Sequence, residues 1–231
     1  MIKVKEIFHS IQGEGPFAGR PAWFIRFAEC PLRCPGCDTD FLNGEDWDEE
    51  AILKEVSSFR KPNVKKLVVI TGGEPLAQDL TKLCKMLLDA GYWIQIETSG
   101  VVCHEDNLEF FQRCAAFISS PMTGVNIVCS PKAAKVVDEL KPFIGWYKYV
   151  GRAGKIDVDG LPEVTLKASE KVSGVFRDKD FLNHCPERVF IQPLDEQDAD
   201  KNYDNLRFCA EVCALSGFSL TVQIHKLLNW R

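Results

Sequence analysis

Short runs of valine, isoleucine and aromatic residues recur at positions 2–8, 22–27, 67–70, 92–96, 126–129, 146–150, 189–191 and 220–224. Runs of this length and composition, bounded by polar or glycine-containing stretches, predict strands. Between them, apolar residues at three- and four-residue spacing predict helices over 48–59, 76–90, 179–184 and 198–216. Asp48 suits a helix N-cap, and Gly91 and Gly217 sit where helices should stop, each just before a strand. The polar stretch 151–174 has no clear period and supports no assignment. Strands alternating with helices predict a largely parallel sheet in one α/β domain spanning residues 1–231, and no repeat or linker divides the chain.

Four polar motifs fall where those strands end: Thr71-Gly72-Gly73-Glu74-Pro75, Glu97-Thr98-Ser99-Gly100, Ser130-Pro131-Lys132 and Gln192-Pro193-Leu194-Asp195. Ligands of parallel α/β folds bind at the carboxyl ends of the strands, so four such tips on one rim describe one pocket. The composition, 45% apolar and 26% charged, is that of a globular protein. No apolar run approaches the roughly 20 residues a membrane span needs. A net charge of −5 with no basic cluster points to a small-molecule substrate and away from nucleic acid. The opening Met1-Ile2-Lys3-Val4-Lys5 lacks the apolar run of a signal peptide, so a cytoplasmic setting with reduced thiols is expected.

Thiols carry the sharpest signal. Cys30, Cys34 and Cys37 form C-x3-C-x2-C, and no fourth cysteine stands near enough to complete a local four-thiolate site. An iron-sulfur cluster normally takes four thiolates, so three would leave one iron open to a ligand. Zinc would want a fourth Cys or His at characteristic spacing, whereas His9 lies 21 residues before Cys30 and Cys84 lies 47 after Cys37. A zinc module remains the non-enzymatic alternative. The other cysteines (84, 103, 114, 129, 185, 209 and 213) stand among apolar neighbours and read as core thiols.

Each remaining constellation has a plain reading beside the chemical one. The paired glycines of residues 71–75 let backbone approach a ligand, or simply turn strand into helix. Thr39, beside Asp38, could ligate Mg²⁺ or shape a turn. Residues Ile11-Gln12-Gly13-Glu14-Gly15 could close a hairpin, or Glu14 could accept two N–H bonds from a guanine-like ring edge. Arg26, inside an apolar strand, needs an anion: a substrate carboxylate, or a structural partner in Glu14 or Glu29. His225, after the last strand, is as well explained by packing as by ligation.

Taken together, Gln12 to Gly15, Gly19, Pro21, Phe24-Ile25-Arg26, Cys30 to Thr39, the four strand-end motifs and His225-Lys226 resemble the 7-carboxy-7-deazaguanine synthase family of the radical S-adenosylmethionine (SAM) superfamily. The resemblance runs nearly end to end. It implies a shortened, open (β/α) barrel of radical SAM type, a homodimer, and a one-electron donor such as flavodoxin. It also implies conversion of 6-carboxy-5,6,7,8-tetrahydropterin to 7-carboxy-7-deazaguanine with loss of ammonia, in queuosine-type biosynthesis, using a [4Fe-4S] cluster, SAM and Mg²⁺. By the same resemblance Cys30, Cys34 and Cys37 would bind the cluster and Thr39 the magnesium. Gly36, Cys37, Asp38, Gly73, Glu74, Ser130, Pro131, Lys132, Gln192 and Asp195 would meet SAM. The pterin would lie against Ile11, Gln12, Gly13, Arg26 and Thr71, with Arg231 contributing its terminal carboxylate. A rival within the superfamily is an activase that places a glycyl radical on a partner protein.

Overall fold

The computed structural model describes residues 1–34, 37, 41–58, 66–114, 124–163 and 174–230. The chain opens with an antiparallel hairpin, β1 (Ile2–Ile11) and β2 (Pro21–Phe27), edged by a short antiparallel β3 (Glu45–Trp47). Six strands then add in parallel: β4 (Lys66–Gly72), β5 (Tyr92–Thr98), β6 (Val125–Cys129), β7 (Ile144–Gly151), β8 (Val189–Pro193) and β9 (Ser219–Leu220). The sheet order is β3-β1-β2-β4-β5-β6-β7-β8-β9, with β3 and β9 as its edges. Those edges do not pair with each other, but the loop after β1 meets the segment after β9. Gly15 N–H donates to Thr221 Oγ1 (2.8 Å) and Ile224 N–H to Gly13 O (3.1 Å). The sheet therefore curls into the expected open barrel, mainly parallel with an antiparallel start.

Helices cover its outer face. α1 (Glu49–Ser57) is capped by Asp48, whose carboxylate accepts from Ala51 N–H, and buries Ile52 and Val56. α2 (Thr81–Asp89) buries Leu83, Cys84 and Leu87. Beyond it come α3 (Glu105–Arg113), α4 (Lys179–His184), α5 (Ala199–Ser216) and the one-turn α6 (Ile224–Leu227). α5 ends at Gly217, whose left-handed backbone (φ 73°) lets the chain turn back toward β9. The main core lies between this layer and the sheet. A smaller core fills the base of the concave face: Phe17, Ala22, Leu67, Val69 and Trp93, with Phe24 and Trp146 packed on it. Phe17 contacts Trp93 and Trp146 edge-on, at 4.8 and 5.7 Å between ring centres.

Four differences from the sequence-based elements have physical causes. The helix expected over 76–90 splits into a 3-10 turn at Pro75–Ala77 and α2. At the break, Gln78 behaves as a strand partner for Lys3: its Oε1 accepts from Lys3 N–H and its Nε2 reaches Lys3 O. Helix α3 escaped prediction because its buried face carries Asn107, which accepts from Leu80 N–H and donates to Gln78 O, both at 2.8 Å. The strand expected over 220–224 stops at Leu220, since Thr221 and Ile224 turn their polar groups to the loop after β1. In the unassigned stretch beyond Gly151, the described residues are held by Arg177, which pairs with both Asp157 and Asp159.

Candidate active site

Side chains alternate across a strand. On the face that carries the small inner core at its base, the same registry places polar groups higher up: Arg26 on β2, Thr71 on β4, Gln95 and Glu97 on β5, Asn126 on β6, Lys148 on β7 and Gln192 on β8. Arg26 stands opposite Thr71, and Gln95 opposite Asn126. A wall of polar groups thus stands above an aromatic floor.

Glu97 gathers two of them, together with Gln12 from the loop after β1. Its Oε1 accepts from Gln12 Nε2 (3.0 Å) and Gln95 Nε2 (2.7 Å), and its Oε2 from Thr71 Oγ1 (3.1 Å). Gln12 and Thr71, both candidates from the sequence, are therefore neighbours, joined by Glu97 of the Glu97-Thr98-Ser99-Gly100 motif. Ile11 closes β1 opposite Pro21, and the Gly-rich turn is a hairpin connection. Gly13 lies under His225. A methyl group at position 13 would sit 2.1 Å from His225 Nδ1, so only glycine fits beneath the ring as placed. Gly13→Ala is expected to swing that ring away and loosen the Ile224 N–H bond, raising exchange of the Ile224 and Lys226 amides about tenfold or more.

Two acids meet partners other than those expected. Arg26 Nε pairs with Glu6 at 2.9 Å, not with Glu14 or Glu29, because Glu6 stands opposite it in the β1–β2 ladder. Glu14, its side chain mostly covered, pairs through Oε2 with Lys148, while its Oε1 accepts from Gln223 Nε2 (2.7 Å). Burial alone would push its carboxyl up, but the Lys148 ammonium, with Gln223 and His225, holds it well below the usual carboxylate range. Lys148 and Glu6 were missed from sequence. The available signal for Lys148 was the same as for Arg26, a cation inside an apolar strand.

On the rim, the cysteine loop is fastened to the Gly73-Glu74 turn. The backbone is left-handed at Glu29 (φ 67°), and Glu29 O accepts from Glu74 N–H at 2.9 Å. A Cβ on Gly73 would fall 1.8 Å from that same oxygen, so the two loops touch backbone to backbone. Cys30 and Cys34 are half-buried, Cys37 is exposed, and Cys37 N–H donates to Cys34 O (3.2 Å). Burial foremost pushes the Cys30 thiol up, with the charges of Glu74, Cys34 and Cys37 adding to it. Among the described residues no three acidic, His or Cys side chains already converge as a metal site. Gly36, Asp38, Thr39 and Arg231 lie outside the described residues.

Glu74 is 1% exposed. Its Oε1 accepts from Thr98 Oγ1 (2.6 Å) and Leu76 N–H (3.3 Å), and its Oε2 from the N–H (2.8 Å) and hydroxyl of Ser99. It braces the β4 tip against the β5 tip. Ser130 N–H donates to Thr98 O (2.7 Å), Pro131 is buried and Lys132 half-buried. Asp195 is held by Lys226 Nζ (2.7 Å), Gln197 N–H and Asn202 Nδ2 (both 2.9 Å), and these, Lys226 foremost, bring its carboxyl down to about 2.

The chain is similar to known proteins in sequence and in fold. The model of the Radical SAM superfamily matches residues 24–129, from β2 through β6. The chain is 37% identical to 7-carboxy-7-deazaguanine synthase of Rhodospirillum rubrum, covering 98% of this chain and 91% of that one. It is 34% identical to the protein of the same name from Rickettsia prowazekii, over 99% and 88%. With the Escherichia coli protein of that name the identity is 31%, over 98% and 97%. A crystal structure of QueE from Escherichia coli superposes with a TM-score of 0.64 over 97% of this chain and 94% of that one, at 24% identity, which supports the fold. The chain belongs to the 7-carboxy-7-deazaguanine synthase family, within the radical SAM superfamily.

Proposed function

We propose that this enzyme converts 6-carboxy-5,6,7,8-tetrahydropterin to 7-carboxy-7-deazaguanine with release of ammonia. The observation that carries the reading is a three-thiol loop locked to the Gly73-Glu74 turn at the rim of a concave, polar-walled face.

The residues fit the implied cofactors. Three thiols within eight residues are the donor type an iron-sulfur cluster takes, and they leave one iron position for another ligand. Buried polar atoms are normally hydrogen-bonded. Yet on this rim Ser130 Oγ and Gln192 Oε1 have no partner among the described residues, and deeper in the same face neither do Gln95 Oε1 and Asn126 Oδ1. Groups awaiting a ligand would look like this. Cys30, Cys34 and Cys37 would hold the cluster, and Gly73, Glu74, Ser130, Pro131, Lys132 and Gln192 would hold SAM, with Asp195 and the Gly36 and Asp38 positions beside it. Thr39 would hold Mg²⁺. When bound, cluster and SAM supply the hydrogen-atom abstraction that begins ring contraction.

The chain's own residues then have defined work. Arg26, half-buried beside Glu6, offers its guanidinium to the substrate carboxylate. Gln12, Thr71 and Glu97 are already fixed to one another and would orient the ring without further reorganisation. Glu14 supplies an ionised acceptor. Phe17, Trp93 and Trp146 close the floor and exclude water from the reacting atoms. The reading carries with it a homodimer, a low-potential electron donor such as flavodoxin and a cytoplasmic setting. No described helix is long and apolar enough to cross a membrane.

Anaerobic incubation of the iron-loaded protein with SAM, dithionite, Mg²⁺ and the carboxypterin tests the proposal. The expected outcome is 7-carboxy-7-deazaguanine and ammonia in equal amounts. SAM cleavage with no deazaguanine would reject this substrate assignment.

A further inference from the structure

We propose that Lys148 is a positioning residue for substrate recognition, clamping Glu14 so that its carboxylate presents two open acceptor positions to a ring edge carrying two N–H donors. The proposal rests on the pterin reading above and deepens it.

Lys148 sits mid-strand in β7 between Tyr147 and Tyr149, whose rings are buried in the outer core. Its own side chain turns to the concave face, opposite the loop after β1, and pairs there with Glu14. The two side chains are only 10% and 13% exposed. A pair this buried gives little net stability, since desolvation of both charges offsets their attraction, and an apolar pair would often serve the fold as well. Its position suggests another use. Lys148 joins, through Glu14, a chain of hydrogen bonds that crosses the polar wall. Glu14 N–H donates to Gln12 Oε1 (3.1 Å), Gln12 Nε2 donates to Glu97 Oε1 (3.0 Å), and Thr71 Oγ1 donates to Glu97 Oε2 (3.1 Å).

An ionised carboxylate has about four lone-pair sites and donates nothing. Lys148 takes one site on Oε2 and Gln223 one on Oε1, which leaves one on each oxygen. That matches a 2-amino group beside a ring N–H, the edge a pterin offers. A 2-oxo edge, as in a lumazine, would set its oxygen against the carboxylate. Among the described residues, the charged and polar groups facing Glu14 are Lys148 from β7, Gln223 and His225 from the segment after β9, and Glu97 by way of Gln12. Without Lys148, burial would favour a neutral Glu14, which gains a donor and loses the distinction.

Equilibrium binding of 6-carboxypterin, a redox-inactive analogue, and of 6-carboxylumazine separates this role from a structural one. Lys148→Met should weaken pterin binding on the order of 30-fold at about pH 6, recover part of it by about pH 7.5, where Glu14 ionises while the ring N–H is still in place, and narrow the pterin-to-lumazine preference. Lys148→Arg should stay within about threefold of the parent. The K148M/E14Q double variant should bind no worse than Glu14→Gln alone, because Lys148 acts through Glu14. If K148M folds poorly by circular dichroism, Lys148→Gln takes its place. Unchanged binding and preference in the Met or Gln variant at every pH, or additive losses in the double variant, would overturn the role of Lys148 and leave the pterin assignment standing. A parent protein that binds neither analogue would overturn both.

Discussion

Alanine in place of any one of Cys30, Cys34 and Cys37 brings product formation to the uncatalysed background and iron content well below that of the parent, while the far-ultraviolet circular dichroism is unchanged. None of the three lies in a strand or helix, and none is fully buried, so their loss removes little packing. Cys84, Cys129 and Cys209 are fully buried and serve as controls. Burial pushes the Cys84 thiol above the range in which it would offer a thiolate, and Cys84→Ala should cost stability with no change in iron per folded chain. The raised Cys30 thiol sharpens the test. It must shed its proton on metal binding, so loading with iron and sulfide should release protons and weaken as pH falls. Iron and sulfide assays on purified variants decide the matter; a variant that keeps full iron and full turnover would remove its cysteine from the ligand set.

Glu74→Gln, although nearly the same shape, is expected to lower unfolding free energy by about 3 kcal/mol, and Glu74→Ala by at least as much. All four groups that meet this carboxylate donate to it: the hydroxyls of Thr98 and Ser99 and the N–H groups of Leu76 and Ser99. A glutamine amide must turn its own NH₂ toward one oxygen's pair of donors, so at least one buried donor loses its acceptor. Thr98→Val removes only one of the four and should cost about 1 kcal/mol. The brace also reaches the thiols, since Glu74 N–H and Gly73 both bear on Glu29 O at the mouth of the cysteine loop. Urea denaturation gives the stability change. An E74Q variant with the parent's midpoint and slope would show that the brace is dispensable.

Much of this was readable from residues alone, for an identifiable reason. Central parallel strands are buried on both faces and announce themselves as apolar runs, so the sheet from β4 to β8 was legible; so were the rim motifs that follow those strands. What escaped was polar and non-local. Asn107 interrupts the apolar stripe of α3 to serve Leu80 and Gln78, and Gln78 leaves a helical pattern to act as a backbone mimic for Lys3. The short edge strand β3 has no apolar signature of its own. In the site, Arg26 was conspicuous but its partner was not: Glu6 is fixed by hairpin register, which a bulge near Lys5 shifts. Lys148 and Glu14 stand 134 residues apart, and no local pattern links them.

The bonds that fasten Thr221, Gln223 and Ile224 to the turn at residues 13–15 span 206 residues in the case of Thr221. On the ribosome, where synthesis runs at roughly 5–20 residues per second, that turn would wait tens of seconds for its counterpart. Nascent chains would pass through a stage with most of the sheet laid down and one wall of the cavity still missing. Newly made protein should therefore acquire ligand affinity later than it acquires protease resistance.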